Sequence, residues 1–120
     1  MASFVARSAS LPLGGAVRFE AVVAGDRRDC VVVRTAAGVS AFVNLCAHRR
    51  QPVVVDDRPF DDAGRLECRA HGAFYEPAGG LCVEGPCVGA RLSVVAIREE
   101  DGALWVEEDP VDDSVYEDEP

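Results

Sequence analysis

At 120 residues the chain has room for one core and no second catalytic module beside it. Nearly half the residues are apolar (48%), Gly and Pro recur throughout and Val is frequent, a balance that excludes disorder, coiled coils and helical bundles. A net charge of −9 excludes nucleic acid as a partner, since binding the phosphate backbone needs a cationic surface to release counterions.

In chain order, residues 16–23, 28–35 and 39–45 each mix β-branched and aromatic residues in partial alternation. Turn signals at Gly25-Asp26 and Gly38 separate them, which predicts an antiparallel meander. Residues 46–90 behave differently. Pro52, Pro59, Gly64, Gly72, Pro77, Gly79, Gly80, Gly85, Pro86 and Gly89 fall within them and exclude a long helix. The expectation for this third is an irregular, loop-built region between two sheet-forming flanks. Arg91–Arg98 then alternates again, with Leu92, Val94 and Ala96 expected outward against Ser93, Val95 and Ile97. Asp101-Gly102 turns the chain into a last strand, Ala103–Glu107.

The charge is unevenly placed. Residues 107–120 hold eight acidic residues and no basic one, whereas residues 1–106 hold thirteen acids against twelve bases, all Arg. This predicts a domain over 1–108 followed by a solvated acidic tail over 109–120, whose few apolar residues cannot pack a core. No stretch approaches the roughly 20 apolar residues of a membrane span, and no leader pattern opens the chain. The expected location is the cytoplasm, the expected state a monomer. Five cysteines in a reducing compartment point to metal before disulfide.

The loop region contains both histidines and four of the five cysteines. They fall as Cys46-Ala47-His48 and Cys68-Arg69-Ala70-His71, with nineteen residues between His48 and Cys68. Each loop offers one sulfur and one imidazole, and two such loops facing each other surround one ion or a small inorganic cluster. Structural zinc sites pair like with like, C-x-x-C and H-x3-5-H, whereas every pair here is mixed. Zinc in a binding module is the first alternative; a cluster-based redox or iron sensor, with the acidic tail as its interaction element, is the second.

This arrangement resembles the Rieske family, whose signature is C-x-H in one loop and C-x-x-H in a second. The resemblance extends to Gly72-Ala73-Phe74-Tyr75 after His71, to Gly85-Pro86 where the family has a proline loop over the cluster, and to the final Asp101-Gly102 hairpin. It covers residues 16–108, with Asp56–Gly64 as a loop extension between the motifs. It implies an all-β, Rieske-type antiparallel β-sandwich with a loop-built cluster-binding subdomain, and one [2Fe-2S] cluster per chain. Cys46 and Cys68 would hold the inner iron, His48 and His71 the outer. Tyr75 matches an aromatic position that donates a hydrogen bond to a ligand sulfur.

High-potential members of the family carry two extra cysteines and a serine where this chain has Gln51, Ala70 and Ala73. The resemblance is therefore to the soluble, lower-potential ferredoxins. It implies a one-electron carrier between a reductase and a terminal oxidoreductase, such as an oxygenase, and no catalysis of its own. Arg49, Arg50 and Arg69 beside the ligands would form a docking rim. Cys82 and Cys87, flanking Gly85-Pro86, are expected as reduced apolar packing groups, and Cys30 as core.

Overall fold

The computed structural model describes residues 2–45, 52–54, 60–61, 64–68 and 72–108. The predicted meander forms as β2 (Ala16–Val23), β3 (Asp26–Thr35) and β4 (Gly38–Val43), three successive antiparallel neighbours. The β2–β3 turn is Ala24-Gly25, at φ 52° and 85°, with Asp26 already paired to Val23. Both turn residues lie in the left-handed region that a type I′ hairpin requires. The turn thus sits one residue earlier than the sequence signal.

The last predicted hairpin is equally regular. Asp101 and Gly102, at φ 55° and 77°, join β9 (Ile97–Glu100) to β10 (Ala103–Glu107). The strand expected over Arg91–Arg98 is divided: β8 (Val94–Val95) completes the order β2-β3-β4-β8, whereas β9 joins the order β1-β10-β9. β1 (Ala2–Arg7) is a strand that the sequence pattern did not announce.

The division at Ala96 also corrects the facing of Leu92. Expected outward, it is buried, while Ser93 is exposed. Its amide donates to the Gly80 carbonyl (2.9 Å), so Leu92 lies before the ladder begins and turns into the middle region. Val94 and Ala96 do face solvent and Val95 is buried, as the alternation within the strand itself demands.

Two sheets enclose one core. Ala21, Cys30, Val32, Ala41, Val95, Leu104 and Val106 pack between them, with Leu11 included. Arg34 clamps the pair from the side: its Nη1 and Nη2 donate to Glu99 Oε1 and Oε2 (3.2 and 2.8 Å) and its Nε to the Leu11 carbonyl (2.7 Å). Burial pushes the Cys30 thiol up to about 11, which suits a core residue.

The opposite face of β3 and β4 carries a second core. Val31, Val33 and Phe42 meet Val53, Val54, Leu66, Cys68, Ala73, Tyr75, Cys82 and Leu92. Cys30–Val33 is buried without interruption because its alternate residues serve two different cores. The described part of the middle region adds short strands to its loops. It contains a third sheet, β5 (Leu66–Cys68), β6 (Ala73–Tyr75) and β7 (Cys82–Glu84), in which each strand is three residues long. No helix among the described residues is long and apolar enough to cross a membrane.

Candidate metal centre

Of the four expected ligands, Cys68 is described; Cys46, His48 and His71 lie outside the described residues, as do Arg49, Arg50, Arg69 and the tail 109–120. The residues flanking the motifs show how the fold presents them. Cys68 ends β5 and pairs with Ala73, the first residue of β6. The C-x-x-H motif therefore begins at the last residue of a strand. Gly72, just before β6, donates to the Cys68 carbonyl (2.9 Å), at φ 67°. Cys68 is itself buried, in contact with the second core.

The first motif follows β4. Asn44, two residues before Cys46, is the one polar residue in the buried set of the described residues. Its Oδ1 accepts from the amides of Val53 (3.0 Å) and Val54 (2.9 Å), and its Nδ2 donates to the Val54 carbonyl (2.8 Å) and Asp29 Oδ2 (3.3 Å). One side chain thus ties together the two ends of the segment that carries C-x-H. A buried amide with all its hydrogen-bonding positions occupied is rigid, because breaking any of them strands a polar group without water. The sequence reading passed over Asn44, although an Asn closing a Val-rich strand is itself an anomaly.

Gly85 fixes the third segment. It lies at φ 106°, and a Cβ placed on it would stand 2.5 Å from the Gly72 carbonyl oxygen and 2.8 Å from Ala73 Cα. Only a glycine allows the Gly85-Pro86 loop to rest directly on the backbone that follows His71. This gives the Gly-Pro signal of the sequence a steric cause.

Tyr75 is fully buried, and its hydroxyl lies 3.3 Å from Cys87 Sγ. Cys82 is also buried, with its sulfur 3.1 Å from that of Cys87, and burial raises the Cys82 thiol above its ordinary range. Neither cysteine is in a disulfide. Arg65 holds the outer side of the small sheet: it pairs with Asp61 (2.8 Å) and Glu84 (2.7 Å) and stacks over the Phe74 ring, 4.3 Å from its centroid. Among the described residues no three His, Cys, Asp or Glu side chains gather as a metal site.

Comparison with known proteins adds the following. The family model of the Rieske [2Fe-2S] domain matches residues 2–108. No curated protein matches the sequence. Among solved structures, the ferredoxin of carbazole 1,9a-dioxygenase from Nocardioides aromaticivorans IC177 is 21% identical, with a TM-score of 0.69 over 91% of this chain and 99% of that one. The Sphingomonas yanoikuyae B1 ferredoxin is 22% identical, with a TM-score of 0.70 over 91% and 100%. A quaternary ammonium Rieske monooxygenase is 15% identical, with a TM-score of 0.71; the match covers 91% of this chain but 32% of the enzyme.

Proposed function

Because the chain belongs to the Rieske [2Fe-2S] domain family, we propose that it works as a ferredoxin, a diffusible carrier of single electrons from a reductase to a terminal oxidoreductase. A Rieske [2Fe-2S] domain holds one [2Fe-2S] cluster, and zinc gives way as the alternative. The proposed ligands are Cys46, His48, Cys68 and His71, which would hold the cluster through two thiolates and two imidazoles. When bound, the cluster takes up and releases one electron.

The donor chemistry fits that group, and so does the frame around it. Cys68 is buried at the end of β5, Asn44 closes the segment of the other motif, and Gly85 leaves a backbone-to-backbone approach that any Cβ would fill. These residues bind and orient; Val53, Val54, Leu66 and Tyr75 exclude water from the inner side. Limited reorganisation on changing charge is what an electron carrier needs, and rigid, apolar support supplies it.

The observation that carries the ferredoxin reading is that two bacterial ferredoxins are matched over 99–100% of their own length. A chain whose histidines are both assigned to the cluster has none left for a mononuclear iron site with two histidines and a carboxylate. An oxygenase is accordingly the proposed class of partner, as it is for the Nocardioides protein, the ferredoxin of a carbazole dioxygenase. Arg49, Arg50 and Arg69 are the proposed docking rim, and residues 109–120 a tail that electron transfer does not require. Cytoplasmic location and a monomeric state belong to the same reading.

Two neutral imidazoles in place of two thiolates raise the potential relative to plant-type ferredoxins, to about −150 to +300 mV across such centres. With Ala73 offering no hydroxyl and with neither Gln51 nor Ala70 being cysteine, the lower half of that range is expected. Reduction raises the affinity of the outer imidazoles for protons, so the potential falls as pH rises through their titration. Protein-film voltammetry across pH tests both statements; a potential in the upper half of the range defeats the ferredoxin assignment. Charge reversal at Arg49 and Arg50 should slow reduction of an acidic partner and flatten its dependence on salt.

A further inference from the structure

Cys82 and Cys87 lie outside the proposed ligand set, yet their sulfurs stand only 3.1 Å apart. The backbone holds them there. Cys82 opens β7, its amide donates to the Ala90 carbonyl (2.8 Å), and its carbonyl accepts from Gly89 (3.1 Å). Ala90 in turn donates to the Cys87 carbonyl (2.9 Å), so both cysteines sit on one hydrogen-bonded loop whose tip is Gly85-Pro86. A disulfide needs a sulfur separation of about 2.05 Å, and side-chain rotation covers the remaining ~1 Å without moving the ladder.

The two thiols also differ in a useful way. Cys82 is 1% exposed, whereas Cys87 is partly open to solvent. We propose that Cys82 and Cys87 form a redox-active dithiol on the loop over the metal centre, which takes low-molecular-weight disulfides as its oxidant. The Cys87 thiolate attacks one sulfur of the reagent, breaking its S–S bond and releasing one thiolate. Cys82, shielded from reagents in solvent, gives up its proton and attacks Cys87 Sγ, releasing the second. The protein loses two electrons and two protons in forming Sγ–Sγ, and the reagent takes both and leaves as two thiols.

The Cys87 contact to Tyr75 gives the exchange a structural consequence. A thiol donates or accepts across the 3.3 Å contact, whereas a disulfide sulfur only accepts. In the oxidised form the tyrosine hydroxyl is therefore the sole donor of that contact.

Cleavage after Arg69 and Arg91 releases one peptide, residues 70–91, that contains Cys82 and Cys87 and no other cysteine. The cluster-loaded full chain is treated anaerobically with oxidised glutathione, its visible spectrum confirming an intact centre. It is then alkylated under denaturing conditions and mapped by mass spectrometry. The expected peptide is lighter by two hydrogens and is alkylated only after reduction. In Cys82→Ser, glutathione should remain on Cys87; in Cys87→Ser, Cys82 should remain unmodified until denaturation. Full alkylation of both cysteines in the wild-type chain, or glutathione persisting on Cys87 while Cys82 is alkylated, overturns the proposal.

Discussion

The two cores on either side of the β2-β3-β4-β8 sheet are built by different means. The sandwich core rests on long ladders, with eight residue pairs between β2 and β3 and type I′ turns at Ala24-Gly25 and Asp101-Gly102. The metal-centre core rests on three-residue strands fixed at points: one amide side chain at Asn44, one glycine contact at Gly85, one stacked and doubly paired Arg65. In a ladder the loss of one contact is shared among its neighbours; at a point fixture it is not. The metal-binding loops should thus respond sharply to single substitutions that the sandwich would absorb as lost stability alone.

The largest effect is expected at Gly85. Gly85→Ala must relieve a 2.5 Å overlap with backbone and also hold a side chain at φ 106°, together about 4 kcal/mol of strain. Iron and sulfide analysis should find the centre largely lost. Gly102→Ala is the control: φ is again positive, at 77°, but a Cβ meets nothing within 4 Å, so the cost should stay near 1 kcal/mol with iron content unchanged. Equal iron loss in both variants would remove the contrast between the regions.

Next comes Leu104→Ala in the sandwich core, where Leu104 is fully buried. The cavity should cost about 3 kcal/mol, seen as a lower melting temperature. The visible and paramagnetic spectra of the folded fraction should not change. Asn44→Asp, expected at about 2 kcal/mol, should do the reverse. It keeps the acceptors for Val53 and Val54 but faces the Val54 carbonyl and Asp29 with a carboxylate. Faster release of iron to a chelator, out of proportion to the fall in stability, would mark Asn44 as the residue that closes the first metal loop.

This contrast also governs how much was legible in the sequence. Strands that bury an alternating face announced themselves: residues 16–23 coincide with β2, and the Asp-Gly turn was placed correctly. The paired motif and Gly85-Pro86 led to the family because spacing survives in sequence where contacts do not. What was missed depends on distant partners. β1 alternates too weakly to be recognised, and β10 makes it a strand. Leu92 follows the alternation of the strand after it, but its hydrogen bond to Gly80 turns it inward. β5, β6 and β7 are too short to show a period, and what Asn44 does after β4 shows only in its bonds across ten residues.

The smallest effect tests the sandwich's own point fixture, the Arg34–Glu99 clamp between sheets. Pairing with the Arg34 guanidinium lowers the Glu99 carboxyl from 4.5 to about 2. A depressed folded-state value means that the unfolded chain binds the proton more tightly. The clamp's contribution is thus complete above the unfolded value near 4.5 and is lost as pH falls toward about 2. Glu99→Gln should therefore be slightly less stable than the wild type at pH 7 and indistinguishable from it near pH 2, by urea titration at each pH. Both ends of the pair are partly solvated, with 22% and 35% of the side-chain surface exposed, so salt should narrow the gap at pH 7. A gap that persists undiminished into acid would show that the glutamate's packing rather than its charge holds the sheets together. In that case the sandwich has no electrostatic fixture comparable to those of the metal-centre core.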